Sequence, residues 1–123
     1  MINYNPSVNK SGRAKSVVKA FTTEDVRGEL YVCPNNSTAR MVLLFFSNAN
    51  GNTSVDVEWY RASDASHYFI VGGKNLTSGE YVQFSDSYIV LEPGDKIEIT
   101  PSGNASPNIH AFCTVEEIFI PVG

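Results

Sequence analysis

Six consecutive apolar residues, Met41-Val42-Leu43-Leu44-Phe45-Phe46, constrain this chain more than any other feature. A helix of this composition has no polar face, and a strand of it must be covered on both sides, so the run reads as a central β-strand. The turn cluster Asn48-Ala49-Asn50-Gly51-Asn52 follows, with Asn-Gly supplying the positive φ that tight turns need. Next comes the alternating run Ser54 to Arg61. Val55, Val57 and Trp59 point one way and Asp56, Glu58 and Tyr60 the other, the period of a strand with one buried and one wet face. The two runs are expected to pair as a hairpin.

Further strands are expected at Ser16–Phe21, Gly28–Cys33, His67–Val71, Glu80–Phe84, Tyr88–Leu91, Lys96–Thr100 and Ile109–Glu116, with Ile118–Ile120 continuing the last. Turn chemistry separates them. Gly72-Gly73-Lys74-Asn75 and Glu92-Pro93-Gly94-Asp95 read as turns, Pro101 as a strand terminator, and Thr22 to Asp25 as the place for a single helical turn. Ile97 and Ile99 share one face, and Ile109, Ala111, Cys113 and Val115 point inward. About eight short strands with no helical period predict an all-β fold, an antiparallel β-sandwich or jelly roll.

At 123 residues there is room for one such domain, which buries roughly two thirds of its unfolded surface without needing staples. The formal charge of −4 is unevenly spread: residues 1–28 carry +3 through Lys10, Arg13, Lys15, Lys19 and Arg27 against Glu24 and Asp25, leaving −7 on the remainder. The expected organisation is an extended basic N-terminal arm over 1–28, holding the first strand, and a sandwich domain over 29–123. Without interleaved aromatics the arm suits an acidic protein neighbour better than nucleic acid. No run of apolar residues reaches the ~20 of a membrane helix, and no signal peptide is expected. Cys33 and Cys113 are expected to be buried thiols rather than a disulfide.

Chemistry is sparse. His67 and His110 stand apart in sequence with no ligand set beside them, Asp56 with Glu58 and Glu116 with Glu117 read as solvated faces, and no nucleophile elbow occurs, so no catalytic residue, metal site or cofactor is expected. Exposed Tyr60, Tyr68, Tyr81 and Tyr88 leave a carbohydrate-binding module open as an alternative. The apolar surplus at Phe46, Phe69, Phe112, Ile118, Phe119 and Ile120 points instead to subunit contacts, a trimer or another closed ring being favoured, with Lys10, Arg13 and Lys15 as further contact candidates.

The order Leu30-Tyr31-Val32-Cys33-Pro34, Thr38-Ala39-Arg40 opening the strand that ends Phe46-Ser47-Asn48, Val55-Asp56-Val57, Tyr68-Phe69-Ile70 and Ile89-Val90-Leu91-Glu92-Pro93-Gly94-Asp95-Lys96-Ile97 resembles small β-sandwich virion proteins of tailed bacteriophages. The resemblance spans residues 29–117 and departs at Asn35-Asn36, where glycine is commoner, and in the longer basic arm. It implies a non-enzymatic virion structural protein assembled in the host cytoplasm: a capsid decoration or cement subunit contacting major capsid or other virion proteins, or alternatively a neck, tail or fibre component. It implies no catalytic residues.

Overall fold

The structure, a computed structural model, describes residues 12–86 and 88–120. Among the described residues nine strands follow one another: β1 (Gly12–Phe21), β2 (Gly28–Val32), β3 (Ser37–Asn48), β4 (Thr53–Arg61), β5 (Ser66–Leu76), β6 (Tyr81–Phe84), β7 (Ile89–Leu91), β8 (Lys96–Ser102) and β9 (Ile109–Phe119). One sheet has the order β1-β9-β3-β6, with β7 also on β3; the other has the order β2-β8-β4-β5. Every pairing is antiparallel. Since β9 lies along the whole of one edge of β3, β6 and β7 share the other edge and act as one interrupted strand. That interruption turns an eight-strand plan into nine. The chain crosses between sheets at every connection except β4–β5 and β6–β7, which is the wiring of a jelly roll.

The expected hairpin between Met41–Phe46 and Ser54–Arg61 is not formed. Both edges of β3 are occupied within its own sheet, and β4 lies in the opposite one, between β8 and β5. The apolar faces of the two strands therefore meet across the core instead of side by side. Asn48 holds the crossing: its side-chain amide donates to Leu76 O at 2.9 Å and Gly51 O at 2.5 Å, and Gly51 adopts a φ of 63°.

Within β3 a bulge between Met41 and Leu43 resets the alternation, so Met41, Leu44 and Phe46 all point inward. Val42, Leu43 and Phe45 are left half-buried on the outside, correcting the expectation that both faces are covered. From the opposite sheet Leu30, Val55, Val57, Ile97 and Ile99 close the core, joined by Ile109, Ala111, Cys113 and Val115 of β9. Each large side chain buried here contributes about 1.5–3 kcal/mol relative to exposure.

Other differences have local causes. β1 begins at Gly12 rather than Ser16 and pairs with β9 along its full length, so residues 12–21 of the expected arm belong to the sandwich. Residues 22–27 form a turn rather than a helical one, with Asp25 at a φ of 61°. Gly72-Gly73 is a bulge inside β5, not a turn: the register slips there, and Gly73 N donates to Asp56 Oδ1 at 2.6 Å. Pro101 lies inside β8. Its carbonyl accepts Asp25 N at 2.8 Å on the side where β2 has already ended, so the N–H that proline lacks would face no partner strand. The Glu92–Asp95 turn forms as expected, with Asp95 N donating to Glu92 O at 3.0 Å and Gly94 at a φ of 85°.

Candidate assembly interface

The outer face of the β1-β9-β3-β6 sheet carries an apolar stripe that crosses four strands. Val18 lies opposite Phe112, and Phe112 opposite Phe45; Tyr81 pairs with Ser47, two residues on from Phe45 and so on the same face. The rings stack: Phe45 and Phe112 have centroids 4.6 Å apart at 16°, and Phe45 and Tyr81 are 5.3 Å apart at 19°. Val18 ends the column at 72% exposure. Such ring pairs are worth about 0.5–1.5 kcal/mol beyond burial, which favours the stacked arrangement of the stripe. Phe45 is sandwiched between the other two rings, whereas Tyr81 stacks on one face only and is 62% exposed.

A polar border follows. Ser16 Oγ and Thr114 Oγ1 lie 2.8 Å apart, and beyond them Arg40 pairs with Glu116 and sits 5.0 Å from the centre of the Tyr88 ring. Exposed Val90 and Ile118 flank this pair. An apolar strip with a charged rim is the anatomy of a protein–protein contact.

The structure distributes the residues singled out in the sequence over several places. Phe46 is 0% exposed and has no surface to offer a partner; its neighbour Phe45 faces outward instead. Phe112 belongs to the column. Ile118, Phe119 and Ile120 are exposed at the end of β9, where Ile120 N donates to Asn36 O at 2.8 Å. Phe69, 66% exposed, lies on the opposite sheet, away from all of these. Arg13 is held by Glu117 rather than free, Nε to Oε1 at 3.0 Å, while Lys15 is exposed on β1. Lys10 lies outside the described residues. Val18, Phe45 and Tyr81 join the candidate contact residues; alternation away from a buried Phe46 places Phe45 outside.

Four carboxylates on wet or turn positions of the sequence pattern are buried. Glu117, 0% exposed, accepts from Tyr31 and Arg13. Asp95 accepts from Trp59 Nε1 at 3.1 Å and from the amides of Ala62 at 2.9 Å and Glu92 at 3.0 Å. Glu58 meets Arg27 Nε at 3.0 Å, and beside it Glu98 lies 2.9 Å from His67 Nδ1. His67 therefore does not stand alone. Cys33 and Cys113 are both free and buried, and burial first of all pushes each thiol up to about 11.

No family model matches this chain, and no curated protein does. Solved structures do resemble it. A chain of Bacillus endospore appendages, which are disulfide-linked pili, superposes with a TM-score of 0.58 at 12% identity, covering 90% of each chain. A chain of the capsid of Helicobacter pylori bacteriophage KHP30 gives 0.56 at 13%, covering 89% of this chain and 90% of that one. The VP2 subviral particle of infectious bursal disease virus gives 0.55 at 15%; the match covers 88% of this chain but 33% of VP2. At these identities the likeness concerns the fold, a β-sandwich built also by structural proteins of capsids and pili.

Proposed function

We propose that this chain is a non-enzymatic structural subunit of a virion, of the capsid decoration or cement kind, that attaches to major capsid proteins or to copies of itself through the outer face of the β1-β9-β3-β6 sheet. The observation that carries the reading is the outward-facing column of half-buried Phe112 and Phe45 between exposed Val18 and Tyr81, apolar, stacked and bordered by charge. Burial is the mechanism: a standard contact removes roughly 800 Å² per partner, and repetition around a closed ring or shell multiplies weak contacts into avidity. Supporting it, solved structures with this sandwich come from a phage capsid and an appendage, both assemblies of repeated subunits.

The test replaces Val18 and Phe45 by Asp and compares the variant with the unaltered chain by light scattering and by occupancy on particles that lack the protein. The expected result is a trimer or larger ring, and particle binding, for the unaltered chain only, with the variant still cooperatively folded and its melting temperature lowered only by the loss of the two ring pairs. A unaltered chain that stays monomeric and leaves particles bare overturns the proposal.

A further inference from the structure

Across the outer face of the second sheet, Glu29, Glu98 and Glu58 are in register on β2, β8 and β4. Like charges directly opposite on a sheet repel. Lys96 Nζ answers Glu29 Oε2 at 2.7 Å, and Arg27 lies between the other two, its Nε 3.0 Å from Glu58 Oε1 and 3.7 Å from Glu98 Oε1. His67 on β5 completes the group, with Nδ1 2.9 Å from Glu98 Oε1 and Nε2 3.4 Å from Arg27 Nη1. The carboxylates are nearly buried, Glu58 at 9% and Glu98 at 6% exposure. Despite its close neighbours, Glu98 Oε1 accepts no hydrogen bond from any of the described residues. A buried carboxylate oxygen left this way is costly, and each such atom calls for a reason.

We propose that Glu58, His67 and Glu98 form a binding site for a first-row divalent metal ion of the zinc type, in which the metal displaces the Arg27 guanidinium. One ligand atom from each residue lies within 4.8 Å of the others. Bonds of about 2.0–2.2 Å to carboxylate oxygen and imidazole nitrogen draw tetrahedral ligands to about 3.4 Å of one another, so a small side-chain movement closes the set. The donors decide the class of ion: one imidazole and two carboxylates suit zinc, cobalt or manganese, whereas calcium needs six to eight oxygens. Charge closes as well, since a dication balances two carboxylates that one guanidinium leaves with an excess of negative charge. Arg27 is free to leave, being on the turn between β1 and β2 with nearly half of its side chain in solvent. Bound metal would tie β4, β5 and β8 together on a face separate from the proposed assembly surface.

Titration of the full chain with zinc, followed by calorimetry and thermal melting, and with cobalt, followed by its visible absorption, tests the site. One equivalent is expected to bind, raise the melting temperature and give the bands of low-symmetry cobalt. His67→Ala and Glu98→Gln are expected to abolish all three effects, and His110→Ala to leave them unchanged. Arg27→Gln is expected to strengthen binding by about 10- to 100-fold, the range over which neighbours of a ligand tune a site. This arm keeps the proposal falsifiable even if the ligand variants fold poorly, because a merely structural cluster gains nothing from losing its arginine. Absent binding, binding lost equally in His110→Ala, or binding weakened in Arg27→Gln overturns the site.

Discussion

Tyr31 on β2 donates its hydroxyl to Glu117 Oε2 on β9 at 2.6 Å, a hydrogen bond that joins the two sheets through the interior. Arg13 supplies the second oxygen with a donor from β1. Burial, then Glu117, push the Tyr31 hydroxyl far above its ordinary 10.0, so it remains a donor throughout the working pH range. Tyr31→Phe leaves Oε2 buried and unpaired and is expected to destabilise the fold by about 1–3 kcal/mol, measured by urea unfolding. Combined with Glu117→Gln, the loss should be smaller than the sum of the two single changes, since both act on the same charge-assisted bond.

Burial alone would raise the Glu117 carboxyl, but Tyr31 and then Arg13 outweigh it and hold the group below its ordinary 4.5. The folded state thus keeps this carboxylate ionised where the unfolded chain has begun to protonate it. Its stabilisation is fully present above about pH 4.5 and is lost as the pH falls through the lower folded value. Melting temperature plotted against pH is expected to drop in that acid window, and Glu117→Gln to flatten the drop.

Phe45 and Phe46 are adjacent and do opposite work. Phe46→Ala empties a fully buried site and is expected to cost about 3–5 kcal/mol. Phe45→Ala removes one half-buried ring from the outward-facing column, with a cost of about 0.5–1.5 kcal/mol for each ring pair lost, and its main effect is expected on self-association. Denaturation midpoints and light scattering on both variants separate the two roles; equal loss of stability would contradict the assignment of faces.

Most of the fold is legible because strand periodicity and turn chemistry are local. The Glu92–Asp95 turn, the inward isoleucines of β8 and the inward face of β9 follow from residues within a few positions of one another. What is not local escapes. Whether Met41–Phe46 and Ser54–Arg61 pair or face each other depends on β9 and β6 taking the edges of β3, and those strands lie far along the chain. The bulges at Val42 and Gly73 shift which residues face outward without leaving a clear mark in composition. His67 looks solitary for the same reason: its carboxylate neighbours come from β4 and β8, set beside it only by sheet order.

Thiol reactivity gives a clean measure of native packing. With both cysteines buried and their thiols pushed up to about 11, almost no thiolate is present at pH 8. A disulfide reagent is expected to modify neither residue in the folded chain and both after addition of denaturant. Rapid labelling of Cys33 alone would show that the segment between β2 and β3 opens independently of the rest.

The edge strand β1 supplies the last prediction. An extended basic arm would be dispensable for folding, but Gly12 to Phe21 pairs residue by residue with β9, from Gly12 opposite Ile118 to Phe21 opposite Ile109. Removing residues 1–16 would unpair the end of β9, strip the Arg13 donor from buried Glu117 and separate Ser16 from Thr114. Loss of one donor to a buried carboxylate is by itself worth about 1–3 kcal/mol, and a freshly exposed edge invites pairing with other chains. The truncated protein is therefore expected to melt at a lower temperature and to aggregate. Arg13→Ala in the full chain should reproduce part of the loss of stability, that due to the missing donor, but not the aggregation, because it leaves the edge of β9 covered. An unchanged melting temperature on truncation would mean that β1 adds nothing to the sandwich, and that the buried Glu117 is satisfied by Tyr31 alone.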